Sequence, residues 1–196
     1  MNIRYWLKHP ELIRARVRYR LWEMAHPESP WLCPQTIAFL EERLRRSMSA
    51  LEFGSGRSTL WLAHRVGKVT SIEYDQAWYR RVREQVQDLD RAAVSLRYVE
   101  LDHPHAEPEQ ELYDQLPRYV AVLDDFEDHS LDMVIVDGHY RTTVLKHCGT
   151  KLKKGGLLLV DDVNLWFPAD PPIPSGFVPV DRATNGIKWT GVWEAR

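Results

Sequence analysis

Asp137, Asp161 and Asp162 are the residues of this chain whose types and spacing best suit chemistry. Asp137 closes the apolar run Met133-Val134-Ile135-Val136, and Asp161-Asp162 closes Leu157-Leu158-Leu159-Val160, and both runs read as buried strands. Ligands of open α/β sheets sit at the carboxyl ends of the strands, so three carboxylates converge where a ligand would bind. Such carboxylates repel unless a cation or a shared proton lies among them, and oxygen-only ligands suit Mg2+ or Ca2+. The other reading is that Asp137 borders a cofactor while Asp161 and Asp162 cap a following turn. His139 carries an imidazole that titrates near neutrality, which makes it a candidate general base beside Asp137; the plainer account is an exposed loop histidine. Tyr140, Arg141 and Asn164 are placed by position alone to orient a substrate.

A second group surrounds a glycine turn, Leu51-Glu52-Phe53-Gly54-Ser55-Gly56-Arg57-Ser58-Thr59. A strand that stops at Gly54 and Gly56 and restarts as a helix at Ser58 and Thr59 offers backbone N–H groups to an anionic or carboxylate-bearing ligand. The dinucleotide fingerprint wants a third Gly or Ala where Thr59 stands, and a branched residue there argues against a pyrophosphate. Glu52 points the same way, since a carboxylate at the mouth repels phosphate but accepts a hydrogen bond from an ammonium group. Glu73, at the end of the next strand, is placed to take both hydroxyls of a ribose.

The elements that must position these groups alternate. Strands are predicted at 49–53, 69–72, 94–101, 132–136 and 157–160, with helices at 58–66, 76–90 and 141–153, the last stopped by Gly155-Gly156. That order predicts an α/β fold, with a mostly parallel sheet and helices on both faces. The alternating tail, with strands at about 177–181 and 186–193, supplies an antiparallel C-terminal pair. An N-terminal helical cap over residues 1–46 precedes a ligand-binding domain over 47–196. Within the cap, helices are expected at 3–24, bent near Pro10, and at 35–46. The acidic stretch 102–131 is read as an irregular excursion with short helices near 109–116 and 118–125, and the proline-rich 167–176 as a stiff loop.

In order, Glu52-Phe53-Gly54-Ser55-Gly56, Ser71-Ile72-Glu73-Tyr74-Asp75, Val99-Glu100-Leu101-Asp102, Asp132 to Gly138 and Leu152 to Gly156 resemble the motifs of the class I S-adenosylmethionine-dependent methyltransferases, which have a Rossmann-like fold. The resemblance spans about residues 49–162. It implies that Glu52, Gly54 and Gly56 border the methionine part of the cofactor, that Glu73 holds the ribose and that Asp102 or its neighbours contact the adenine; Ser58, Thr59 and Asp137 join the same socket. A partial resemblance to the catechol and sugar O-methyltransferases implies a divalent ion on Asp137, Asp161 and Asp162 that binds two substrate oxygens and lowers a hydroxyl pKa. Where the catechol type has a lysine shortly after the first acid, this chain has Gly138-His139-Tyr140.

Composition bounds the rest. The 196 residues fit one compact unit, and a formal charge of −2 gives no overall pull toward nucleic acid. Cys33 and Cys148 form no paired spacing, no apolar run approaches the roughly 20 residues of a membrane span, and no signal-peptide core is seen, so a cytoplasmic location is expected. The arginine-rich N-terminal helix suits either packing on the domain or an anionic partner. The expected activity is methyl transfer from S-adenosylmethionine to a small molecule at oxygen, with a homodimer compatible. The competing readings are an inactive, partner-binding relative and a nucleic-acid methyltransferase. The second ranks lower because Asp137-Gly138-His139-Tyr140 lacks the Pro-Pro-aromatic motif of base-modifying members.

Overall fold

The computed structural model describes residues 9–87, 89, 94–102, 115–167 and 169–196. Among the described residues, seven strands form one sheet in the order β3-β2-β1-β4-β5-β7-β6. These are β1 (Ser49–Phe53), β2 (Lys68–Glu73), β3 (Val94–Tyr98), β4 (Leu131–Val136), β5 (Leu152–Val160), β6 (Phe177–Thr184) and β7 (Trp189–Ala195). The first five pair in parallel, while β7 runs antiparallel to both β5 and β6. The expected Rossmann-like α/β sheet with an antiparallel C-terminal pair is therefore present.

Side chains alternate across each strand and feed a core on each face. Leu51, Phe53, Val134, Val136, Leu158 and Val160 face one way, toward α5 (Arg118–Ala121) and α6 (Arg141–Cys148). Ala50, Met133, Ile135, Leu157 and Leu159 face the other way, toward α2 (Pro34–Arg43) and α3 (Arg57–Ala63). Glu52 shares the parity of Ala50, so this alternation drives a carboxylate into the second core. Helix α4 (Gln76–Val86) starts where the Asp75 carboxylate accepts the Trp78 amide at 2.7 Å.

Several boundaries differ from the sequence reading. Helix α6 ends at Cys148 and passes through a 3-10 turn over Gly149–Lys151, so Gly155-Gly156 is no helix stop. Those glycines lie inside β5, where the register jumps between Leu131 and Met133 and Gly155 takes φ +77°. A left-handed residue lets the strand bulge and rejoin β4. The helix near 109–116 falls largely outside the described residues, and Gln115 and Leu116 are not helical. The 118–125 segment splits into α5 and a 3-10 turn over Val122–Asp125.

Helix α1 (Pro10–Ala25) covers less than its apolar residues suggested; the 3–8 part of that helix lies outside the described residues. Ala15 is buried, and the Tyr19 hydroxyl donates to the Leu32 carbonyl at 3.2 Å. Ile13, Val17, Leu21 and Met24 stay exposed, because contact is made through the Ala15 and Tyr19 side of the helix. No helix among the described residues is long and apolar enough to cross a membrane.

Candidate active site

The glycine turn is built by backbone contact. Gly54 takes φ +95°, and a Cβ there would stand 2.8 Å from the Gly138 nitrogen. A Cβ on Gly138 would in turn stand 2.8 Å from the Gly54 nitrogen. The ends of β1 and β4 thus touch edge to edge, and both positions are glycine for that reason. A Cβ on Gly56 would approach only the Trp78 indole, at 3.9 Å.

The amides of the turn do not stand open to a ligand, as the sequence suggested. Gly54 N–H donates to the Ile72 carbonyl at 2.9 Å, Ser55 N–H to Glu73 at 3.0 Å and Gly56 N–H to the Thr59 hydroxyl at 3.0 Å. Buried backbone donors demand partners, and here the neighbouring side chains supply them.

Glu52 and Thr59 accordingly lie behind the turn and not at its mouth. Glu52 is fully buried, and one carboxylate oxygen accepts the Thr59 hydroxyl at 2.5 Å and the Ser71 hydroxyl at 2.6 Å. Burial pushes its pKa up to about 7, against the pull of the Ser58, Ser71 and Thr59 hydroxyls. The other oxygen, Oε1, is buried and accepts no hydrogen bond of ordinary geometry among the described residues.

Glu73 ends β2 where a ribose acid is expected. Its Oε2 accepts the Ser55 amide and, at 2.8 Å, the Ser55 hydroxyl; Oε1 accepts the Tyr74 and Asp75 amides at 2.9 and 2.8 Å. Four donors match the roughly four lone-pair sites of a carboxylate. Asp102 is engaged otherwise. Its two oxygens take the Arg118 backbone N–H and side-chain Nε, each at 2.6 Å, so it is tied to the start of α5.

At the other strand ends the three acids do come together, with one oxygen of each of Asp137, Asp161 and Asp162 lying within 4.8 Å of the others. Tyr140 and Asp162 adopt left-handed φ of 51° and 52° immediately before α6 and α7 (Val163–Trp166). Non-glycine residues in that region are uncommon and gather at functional sites. Arg141, 4% exposed, spans the gap by donating to the Gly138 carbonyl at 2.9 Å, the Asp161 carbonyl at 2.5 Å, and the carbonyl and Oδ1 of Asp137 at 2.8 and 3.1 Å. It is a brace between β4 and β5.

The cluster also holds a cation that the sequence reading missed. Lys188 Nζ donates to Asp161 Oδ2 and lies 2.9 Å from Asp162 Oδ1, while the Thr190 hydroxyl donates to Asp161 Oδ1 at 2.5 Å. Lys188 immediately precedes β7 and Thr190 lies two residues on, and that spacing of two in the alternating tail was the available signal. Burial raises the pKa of Asp137 to about 7, with the Asp161 charge adding to it and Arg141 and Lys188 opposing; its side chain keeps 30% exposure, so water moderates the rise. Burial raises Asp161 too, with Lys188 opposing.

His139 is not a surface loop histidine. It is 2% exposed, with the Tyr140, Tyr74 and Trp166 rings at 4.7, 5.4 and 6.2 Å. Asn164 bonds to the Ile187 carbonyl and the Trp189 amide, and thus pins α7 to the β6–β7 hairpin. Tyr140 is fully buried. Neither is free to orient a substrate.

A family model described as a methyltransferase domain matches residues 51–163, the segment that carries the glycine turn, Glu73, Asp137 and both β5 acids. The chain belongs to that methyltransferase-domain family. No curated protein matches the sequence. Among solved structures, this methyltransferase resembles a methyltransferase from Geobacter sulfurreducens (TM-score 0.60, 13% identity, 93% of this chain and 90% of that one). It also resembles an rRNA methylase from Streptococcus thermophilus (0.59, 14%, 82% and 94%). A third is a Streptococcus mutans protein assigned as a methyltransferase, solved in complex with SAH (0.55, 15%, 82% and 95%). At such identities the likeness is one of fold, that of the class I methyltransferases.

For S-adenosylmethionine the fit rests on the facing glycines Gly54 and Gly138, which keep the meeting ends of β1 and β4 free of side chains. For a divalent ion it is poor, because Lys188 and Thr190 take both oxygens of Asp161.

Proposed function

We propose that this methyltransferase moves the methyl group of S-adenosylmethionine to an oxygen of a small-molecule acceptor. The observation that supports the reading is the edge-to-edge contact of Gly54 and Gly138, which sets the carboxyl ends of β1 and β4 side by side, with Glu73 ending the neighbouring β2. Gly54 and Gly56 would border the methionine part. Glu73 would take the ribose, with a ribose hydroxyl replacing the Ser55 hydroxyl, the one donor on Glu73 that can rotate away.

The cofactor supplies a reactive methyl sulfonium, so the protein mainly aligns the acceptor and removes its proton. Asp137 suits the second task better than His139. It keeps 30% exposure, whereas His139 is 2% exposed, and its raised pKa brings it toward neutrality, where a general base works best. Oxygen is the favoured target because a neutral hydroxyl is a poor nucleophile that needs a base as it attacks, whereas a neutral amine attacks through its lone pair and sheds its proton afterwards. A small acceptor is favoured over nucleic acid because the chain carries no net positive charge.

Calorimetric titration with S-adenosylhomocysteine tests the cofactor claim. Saturable heat that weakens at least tenfold in Glu73→Ala supports it. Folded protein that gives no heat at high micromolar ligand overturns it.

A further inference from the structure

The Asp137, Asp161 and Asp162 carboxylates are arranged like ligands for a divalent ion, yet the chain fills their centre itself. Asp161 is wholly buried, with one oxygen taken by Lys188 and the other by Thr190 at 2.5 Å. Asp162 faces the same ammonium at 2.9 Å, and Asp137 faces Arg141 at 3.1 Å. Two cations therefore answer three carboxylates. A divalent ion added to them would bring more positive charge than the acids can balance, so it would have to evict the lysine first.

Lys188 is not a surface lysine that has drifted onto an acid. Its side chain is 15% exposed, and an ammonium gives up strong hydration only for well-placed partners. Its backbone is fixed by the β6–β7 turn, where Asn185 Oδ1 accepts the Ile187 and Lys188 amides, each at 3.0 Å, and the Lys188 carbonyl accepts the Thr184 hydroxyl at 2.8 Å. Gly186, at φ +89°, rests on Ala15 of α1 so closely that a Cβ would stand 2.7 Å from the alanine Cβ. The N-terminal helix thus holds the turn that delivers the ammonium. Burial pulls the Lys188 pKa down, but the Asp161, Asp162 and Asp137 charges outweigh it and keep the amine protonated.

We infer that the Lys188 ammonium is a built-in replacement for a divalent ion at the Asp137-Asp161-Asp162 cluster, so that the protein works without a metal and its acceptor needs no adjacent pair of oxygens to chelate one. The clause on the acceptor rests on the proposed oxygen methylation; the cation replacement does not. Lys188 is a positioning residue, since it acts through the two β5 acids.

Mn2+ is the probe, read by loss of its free-ion electron paramagnetic resonance signal on titration of the full chain. Wild-type protein is expected to take up no Mn2+ at the cluster in the low millimolar range. Lys188→Met keeps the stem and removes the charge. It should take up one Mn2+ per chain, and Lys188→Met with Asp161→Asn should lose it. In chelator-treated buffer Lys188→Met should melt roughly 10 °C lower, because it strands two acids, and Mn2+ should restore much of that loss, which a merely structural lysine would not allow. Wild-type uptake of one Mn2+ that Asp161→Asn abolishes overturns the inference. So does folded Lys188→Met that takes up none. Where Lys188→Met does not fold, the wild-type titration decides alone. None of these readouts involves methyl transfer, so their failure is distinct from failure of the cofactor titration.

Discussion

The Thr59 hydroxyl donates to the buried Glu52 carboxylate at 2.5 Å while accepting the Gly56 amide at 3.0 Å. One side chain therefore holds both the strand and the turn of the glycine motif, which explains a branched residue where dinucleotide folds keep Gly or Ala. Thr59→Ala strands the Gly56 amide and removes a donor from Glu52, and it should cost about 1–3 kcal/mol in urea unfolding. Thr59→Ser should retain most of the stability. Equal losses in the two variants would assign the effect to the methyl group instead.

Glu52 makes stability depend on pH. Burial holds its folded-state pKa at about 7, above the roughly 4.3 of an unfolded glutamate. The folded chain binds the extra proton between those values, so this contribution is complete below about pH 4 and is lost as pH rises through 7. The loss is on the order of 3 kcal/mol. In Glu52→Gln the contribution should not vary with pH, so the variant should gain on wild type steadily from pH 4 to 8 in urea midpoints. Parallel curves would show that Glu52 does not titrate in that window.

The contact of Gly54 with Gly138 predicts that Gly138→Ala is as harmful as Gly54→Ala. Either methyl group meets backbone at 2.8 Å, which no side-chain rotation relieves, and that of Gly138→Ala lies closer still to the Tyr119 hydroxyl. Each should lower stability by about 1–3 kcal/mol or more and weaken S-adenosylhomocysteine binding, while Gly56→Ala, facing only Trp78 at 3.9 Å, should keep stability within about 0.5 kcal/mol of wild type. Loss of stability in Gly56→Ala alone would contradict this ranking, and thermal melts of the three variants decide it.

The sheet was legible because strand and helix periods differ. Leu51 and Phe53 alternate with Glu52, and Met133 to Val136 is continuously apolar, as strands buried on both faces are. What escaped was long-range pairing. No local pattern says that Glu73 will spend its lone pairs on Ser55, Tyr74 and Asp75, or that Thr59 will turn inward to Glu52. The acid cluster was readable from strand ends, but its cation came from Lys188, 27 positions after Asp161 in the chain. The exposed residues Ile13, Val17, Leu21 and Met24 show the opposite case. Their helical spacing is real, yet α1 contacts the domain through Ala15 and Tyr19.

Variants of Asp137 and His139 separate the two side chains as the proton acceptor. A base must be ionised to work, so if Asp137 serves, kcat/KM should rise with pH and level off above its pKa. Burial and the neighbouring Asp161 raise that pKa to about 7, which puts the limb near neutrality and not near pH 4. The profile of wild type alone does not say which side chain carries the limb, so the variants must. Asp137→Asn should lower kcat by about 10²–10⁴-fold and abolish the limb, with S-adenosylhomocysteine affinity reduced far less. His139→Gln empties part of a ring cluster formed with Tyr74, Tyr140 and Trp166, so it should lower the melting temperature while the limb persists. The reverse outcome, a limb that vanishes with His139 and persists without Asp137, would transfer the role to the imidazole.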